Sequence, residues 1–423
     1  MPSISFGPLP DECLLDEALR ITVHGLAPGQ RITLRALSAG AEGTVLASHA
    51  SFHAATTGDV DLARDAPVSG DYTGADAMGL FWSRSSQPAS AVPFADQCAD
   101  DPMAVLLVIE SESAEPVTHA FRRRYFDDSV AMRKVREAGL VGSFFEPKAP
   151  GRRPAVLVVG GSGGGLQWSA EMAALLASHG YVALALAYFG AEGLPPTLEQ
   201  IPLEYFDKAI EWLAQQEKVD PDRIAVSGAS RGGELALLLA STFPAVRAVV
   251  AYVASGIVWP AYPASGHSAW TMNGKDVPHA DVMPLEEWNL AVSQGRVDPD
   301  SFDWYLIPLR DETVVEATSI RVENINGPVL LISARDDKIW PSAALSEFAV
   351  ARFERKGFNH PVEHLSYPDA GHSLGWPNVS TMSTRFKHPV SGEDQDLGGS
   401  PVGTARARED SWRRMLAFLR GNL

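Results

Sequence analysis

The chain has 423 residues, of which 45% are apolar and 21% charged, a globular balance with room for two domains that each bury a core. Its formal net charge is −17, from 52 acidic and 35 basic residues, which argues against nonspecific binding to nucleic acid or to an anionic membrane surface. The two cysteines, Cys13 and Cys98, stand in no C-x-x-C pair and near no spaced histidine pair, so no disulfide framework and no metal site is expected.

Residues 1 to about 118 are expected to form a β-sandwich domain. Short β-rich runs cover Leu19–Gly25, Gln30–Ala36, Val45–Ala54 and Ala104–Glu110. Ile32, Leu34 and Ala36 alternate with Arg31, Thr33 and Arg35, as on a half-buried strand. Ala27-Pro-Gly29, Thr57-Gly-Asp59 and Ser69-Gly-Asp71 supply the turns between such strands. Strands at this spacing suggest a sandwich. His24, His49 and His53 lie on or beside these strands, and each is expected to be structural or solvent-facing.

From about residue 119 to 423 the pattern becomes α/β. Ala120–Phe126, with its three arginines, and Leu140–Glu146 read as strands opening this part. Ala155–Val159 is a buried strand, and Ser169–His179 a helix stopped by Gly180. Tyr181–Tyr188 is the next strand, and Leu203–Gln216 carries apolar residues at helical spacing. A strand and helix then flank Ser230, followed by strands at Ala248–Ala254 and Pro328–Ser333 and a last helix at Glu409–Leu419. Strands alternating with helices predict a mostly parallel sheet covered by helices. Between Gly256 and Arg321 the periodicity weakens and Trp259, Trp270, Trp288, Trp304, Tyr262 and Tyr305 accumulate. This Trp-rich insertion is expected either to wall an acyl group or to pack as a surface insertion with its own minor core.

The chemistry centres on Arg223-Ile-Ala-Val-Ser-Gly228-Ala-Ser230-Arg-Gly232-Gly233-Glu234. It is a G-x-S-x-G turn between an apolar strand and an apolar helix, the setting in which the motif exposes a nucleophilic serine. The backbone N–H of Arg231 is placed to stabilise an oxyanion at the helix N-terminus. A serine needs a base, and that base an orienting acid. In this architecture the acid and then the histidine follow the serine along the chain. Asp336 and Asp337 follow the Pro328–Ser333 strand; Asp337 is favoured because Trp340 and Pro341 stand three and four positions on, and Asp336 would hold the turn. His372, in Gly371-His372-Ser373, is the expected base, with His360 and His364 structural. The second oxyanion donor should come from Gly160-Gly161-Ser162-Gly-Gly-Gly165, through the N–H of Gly161 or Ser162. This loop lacks the spacing of a dinucleotide fingerprint and the Gly-Lys-Ser/Thr of a P-loop, so no cofactor is expected.

The chain resembles the acyl-CoA thioesterase / bile acid-CoA:amino acid N-acyltransferase family over nearly its whole length. The similar stretches include His24–Gln30, Ser69–Gly74, Met78–Ser83, Gly160–Leu166, Leu184–Tyr188, Leu203–Phe206, Ser230–Glu234 and Asp336-Asp337, with Gly398-Gly399 through Trp412 in the tail. The resemblance implies an immunoglobulin-like β-sandwich followed by an α/β-hydrolase domain with a triad, matched here by Ser230, Asp337 and His372. It implies an acyl thioester as substrate, carried by CoA or a carrier protein. In this family, serine goes with transfer of the acyl group to water and cysteine with transfer to an amino acid. Ser230 therefore points to hydrolysis, with an esterase or an acyltransferase to an amine, alcohol or internal hydroxyl as the alternative. The Gly256–Arg321 segment and Trp376–Asp396 depart from the animal enzymes, so the acyl type is not implied. The opening Met-Pro-Ser-Ile-Ser lacks a basic-then-apolar leader, the tail Gly421-Asn-Leu is no peroxisomal address, and no apolar run approaches the ~18 residues of a span, so a cytoplasmic location is expected.

Overall fold

The computed structural model describes residues 3–41, 43–298 and 302–423. Met1 and Pro2, where the leader was sought, and residues 299–301 of the Trp-rich insertion lie outside them. The chain forms two compact units. The first runs to Asp127 and takes back Trp376–Thr384 and Thr404–Glu409. Its larger sheet orders the strands Glu12–Leu14, Ala114–Arg124, Ala104–Ser111, Arg31–Ala39, Thr44–His53 and Ser69–Gly70, with Ser85–Pro88 also pairing on Thr44–His53. A three-stranded antiparallel sheet joins Ser5–Phe6, Thr22–His24 and Val60–Asp61. Ile32, Leu34 and Ala36 are buried and Arg31 is exposed, as the alternation required.

One strand was assigned to the wrong half. Ala120–Phe126 does not open the α/β part. Residues up to Arg124 complete the hairpin partner of Ala104–Ser111, in a register from Val117 opposite Ile109 to Arg122 opposite Ala104. The fixing contact is the buried Arg123, whose guanidinium lies 5.0 Å from the Phe81 ring centroid and donates to the Leu15 carbonyl.

The second unit is built on eight strands: β1 (Val130–Val135), β2 (Val141–Pro147), β3 (Arg153–Val159), β4 (Val182–Ala187), β5 (Val219–Ala229), β6 (Val246–Tyr252), β7 (Val329–Ala334) and β8 (Val362–Tyr367). Their order is β1-β2-β4-β3-β5-β6-β7-β8. Pairs β1–β2 and β2–β4 are antiparallel, and the rest are parallel. Strands β4 and β7 are buried at every position, which is why β4 is apolar throughout and β7 apolar but for Ser333, with no alternation. Helices α1 (Gln167–Ser178), α2 (Leu203–Ala214), α3 (Arg231–Thr242), α4 (Leu285–Ser293), α5 (Glu312–Thr318) and α6 (Ser342–Lys356), with α7 (Pro401–Asn422) apart from its stretch Thr404–Glu409, complete the unit's main elements. This is an α/β-hydrolase sheet. Helix α7 starts eight residues before the expected Glu409, because the Ser400 hydroxyl caps it by accepting from Gly403 N–H at 3.0 Å and Pro401 takes its first turn.

The turn from β5 to α3 carries the sharpest backbone constraint. Ser230 sits at φ 58° and ψ −123°, a region that a residue with a Cβ rarely occupies. Its N–H donates to the Tyr252 carbonyl at 2.9 Å, and its own carbonyl accepts from Gly233 and Glu234. The turn also packs on the loop after β3. A Cβ at Gly232 would stand 2.3 Å from the Gly160 carbonyl oxygen, so only glycine lets the two backbones approach. Gly232→Ala is expected to cost about 1–3 kcal/mol through this backbone collision, read as a lowered melting temperature; an unchanged melting temperature would mean that the two loops are not locked together.

Candidate active site

Asp337 and His372 are brought into direct contact. Asp337 ends the turn after β7 and is 1% exposed. Its Oδ2 lies 2.8 Å from His372 Nδ1, and its Oδ1 accepts the N–H groups of Ile339 at 3.0 Å and Trp340 at 3.3 Å. A carboxylate beside Nδ1 assigns the ring proton there and leaves the Nε2 lone pair as the basic site. The His372 N–H donates to the Leu397 carbonyl at 2.7 Å, and the Trp340 ring stands edge-on to the imidazole at 6.4 Å. Asp336 faces elsewhere: it accepts from Gly399 N–H at 3.0 Å and meets Lys338 Nζ at 3.0 Å. The turn-holding role expected of Asp336 is thus filled by the second oxygen of Asp337. Asp336 instead ties the segment before α7.

Ser230 arrives from the end of β5, with β6 between that strand and β7. Its N–H and the Trp340 indole N–H bind successive carbonyls at the end of β6, Tyr252 at 2.9 Å and Val253 at 2.9 Å. Val253, a β-branched residue, is held at φ 39°, a second strained position beside the first. Among the described residues the Ser230 hydroxyl makes no hydrogen bond, so its link to His372 is not formed in this structure. In many hydrolytic sites that link closes only with substrate in place.

Of the loop expected to supply the second oxyanion donor, Gly161 lies against the serine. A Cβ at Gly161 would lie 3.1 Å from the Ser230 Cβ and 3.7 Å from its Oγ. Among the described residues, the N–H groups of Gly161, Ser162 and Arg231 have no acceptor. The loop carrying the first two is held from several sides. The Tyr188 hydroxyl donates to the Gly160 carbonyl at 2.6 Å, Gly164 N–H to the Gly161 carbonyl at 3.3 Å, and Gly165 N–H to the Phe189 carbonyl at 3.0 Å. Ser162 Oγ lies 3.0 Å from Nε2 of His388, a buried histidine 226 positions along the chain that the sequence reading passed over.

Arg231 and Glu234 were also missed as a pair. Both are buried, Glu234 completely. Arg231 Nε lies 2.9 Å from Glu234 Oε2, while Nη1 and Nη2 donate to the carbonyls of Pro260 and Trp259 at 2.9 Å each. Glu234 Oε1 accepts the Trp270 indole N–H at 2.8 Å and the Trp259 N–H at 3.3 Å. Burial pushes the Glu234 carboxyl up; the guanidinium and the two N–H donors oppose it. The pair fastens the first turn of α3 to the Trp-rich segment. That segment divides. Trp270 joins the main core against Tyr188 and Phe206. Trp259 joins Ile257, Leu309, Trp340 and Leu345 in a smaller cluster that includes Tyr305. The only sequence sign of the pair was a charged residue three positions from another in an otherwise apolar helix.

No group of described residues has the composition of a metal site, and no described helix is long and apolar enough to cross a membrane. Two family models match the chain: one described as BAAT / acyl-CoA thioester hydrolase C terminal over residues 201–423, the other as acyl-CoA thioester hydrolase/BAAT N-terminal region over residues 16–137. Human acyl-coenzyme A thioesterase 1 is 31% identical over 97% of this chain and 94% of its own. Mouse peroxisomal succinyl-coenzyme A thioesterase is 29% identical over 95% and 93%. The solved structure of a puromycin-hydrolyzing peptidase from Mycobacterium tuberculosis aligns with a TM-score of 0.46 at 15% identity, over 92% of this chain and 53% of that one.

Glu234→Gln keeps the shape of the side chain but leaves the Arg231 charge buried without its counter-ion. It should destabilise the protein by about 3–5 kcal/mol, measured as a shift of the denaturation midpoint. A midpoint equal to wild type would mean that the ion pair does not hold α3 to the Trp-rich segment.

Proposed function

Because the chain belongs to the BAAT / acyl-CoA thioester hydrolase family, we propose that it hydrolyses acyl-CoA thioesters through an acyl-enzyme on Ser230. The observation that carries the reading is the 2.8 Å contact of His372 Nδ1 with the buried Asp337 carboxylate. It prepares a base for a serine held at a strained strand-to-helix turn. His372 Nε2 takes the Ser230 proton as Oγ attacks the thioester carbonyl. The carbonyl oxygen, now an anion, accepts from the N–H of Arg231 and from Gly161 or Ser162. The carbon–sulfur bond then breaks, and the proton on His372 passes to the departing thiolate. Water attacks the acyl-serine, gives one proton to His372, and the collapse of that intermediate returns it to Ser230 and frees the carboxylic acid. Asp337 stays ionised throughout and offsets the positive charge on the imidazole.

The nucleophile supports water as acceptor. An acyl-serine is an oxygen ester and reacts with amines less readily than an acyl-cysteine, which remains a thioester. The relatives' names, thioesterases of acyl-CoA and of succinyl-CoA, support an acyl-CoA as substrate. The acyl chain itself meets the segment from Gly256 to Arg321, where Trp259 and Tyr305 pack at 5.0 Å and Tyr305 and Trp340 at 6.4 Å, linking the insertion to the His372 ring.

Ser230→Ala is expected to abolish turnover across a series of acyl-CoA chain lengths while leaving the melting temperature near wild type. Asp337→Asn should lower kcat by about 10⁴-fold, and Asp336→Asn far less. Equal losses for the two asparagine variants would contradict the assignment of the acid. Mass spectrometry of products formed with glycine or taurine present should find free acid only; an N-acyl product would move the reading to acyl transfer.

A further inference from the structure

His388 is placed unlike the other histidines of the second unit. It opens the loop of a short hairpin, between the strands Arg385–Lys387 and Asp394–Asp396, and its side chain is buried. Two backbone N–H groups, of Val390 and Ser391, point at its Nδ1 from 3.2 Å each. Nδ1 must therefore be the acceptor, which puts the ring proton on Nε2. Nε2 lies 3.0 Å from Ser162 Oγ, so the imidazole donates and the serine oxygen accepts. Burial lowers the His388 pKa against the pull of Glu393, which keeps the ring in this neutral form. The next residue reinforces the placement: a Cβ at Gly163 would lie 3.3 Å from Pro389 Cγ. The Tyr262 ring stands edge-on to the imidazole at 4.9 Å, and its hydroxyl donates to Ser391 Oγ at 3.0 Å, closing the hairpin around the histidine.

The consequence falls on the Ser162 hydroxyl. With its oxygen occupied by a donor, its own proton cannot go to His388. Among the described residues that hydroxyl has no other partner. Its neighbour Gly161 is the residue packed on Ser230, and a Cβ there would reach to 3.7 Å of the Ser230 Oγ. We propose that the Ser162 side chain is a catalytic residue, a hydroxyl donor to the oxyanion beside the backbone N–H groups, and that His388 is the positioning residue that aims it by binding its oxygen. The inference rests on the acyl-enzyme reading of Ser230. It adds a donor that the backbone alone does not supply, and it gives a role to the stretch after His372.

The two imidazole nitrogens can be tested apart. In His388→Asn the amide oxygen can replace Nδ1 and keep Val390 and Ser391 bound, but the donor to Ser162 is lost. In His388→Gln the amide nitrogen can replace Nε2 and keep that donor, while the acceptor for the hairpin is lost. The probe is p-nitrophenyl butyrate, with melting temperatures recorded alongside. Ser162→Ala is expected to lower kcat by about 10²-fold with little change in KM. His388→Asn should fall nearly as far at a near-wild-type melting temperature. His388→Gln should melt lower yet turn over faster than His388→Asn. The double variant Ser162→Ala/His388→Asn should be no slower than Ser162→Ala alone, because the histidine acts through the serine. A purely structural histidine gives the opposite order of activity for Asn and Gln, and that order overturns the proposal. So does a Ser162→Ala kcat equal to wild type, or losses that multiply in the double variant. Fluorophosphonate labelling separates the two levels. A labelled wild type and an inactive Ser230→Ala, with Ser162→Ala unimpaired, overturn this inference alone. An unlabelled Ser230 overturns the acyl-enzyme reading itself.

Discussion

The collision that a side chain at 232 would make with the Gly160 carbonyl is the constraint on which the site depends. It forces the turn after β5 and the loop after β3 to share one narrow space. Because they share it, Gly161 is packed against Ser230, and among the described residues the N–H groups of Gly161, Ser162 and Arg231 are left without acceptors. The positive φ of Ser230 is the local expense of that arrangement, and the hydrogen bonds from Ser230 to Tyr252 and from Gly233 and Glu234 to Ser230 hold it. The other groups of the site are positioned relative to this junction.

Two buried polar systems then hold the two halves of the junction. Behind α3, Arg231 and Glu234 bind the carbonyls and N–H groups of Trp259, Pro260 and Trp270. Across the β3 loop, Tyr188 holds Gly160 and His388 holds Ser162. Each system takes one partner from the elements around the nucleophile and another from an irregular segment far along the chain. That is how a region without strong periodicity can still define the site: its backbone satisfies buried charges that would otherwise be unpaired.

Legibility in the sequence followed the range of the interaction. The β5 turn and the alternation of strands with helices are local patterns, and they were visible. Asp337 was separable from Asp336 because Trp340 and Pro341 belong to the same turn, whose N–H groups its carboxylate accepts. His388 was not visible, since its partner lies 226 residues away and nothing near it marks a site. The strand Ala114–Arg124 was split between the two halves because its pairing with Ala104–Ser111 and the burial of Arg123 over Phe81 are contacts that the local pattern does not mark. The return of residues 376–384 and 404–409 to the first unit is likewise a matter of distant contacts, with no compositional trace.

The central claim is that an acyl group is carried on Ser230. Rapid quenching of the enzyme during acyl-CoA turnover, followed by peptide mass spectrometry, tests it most directly. An acyl adduct on the peptide containing Ser230 is expected, growing in with CoA release and decaying as free acid forms. Steady hydrolysis with no adduct on that peptide, or with the adduct on another residue, would contradict it.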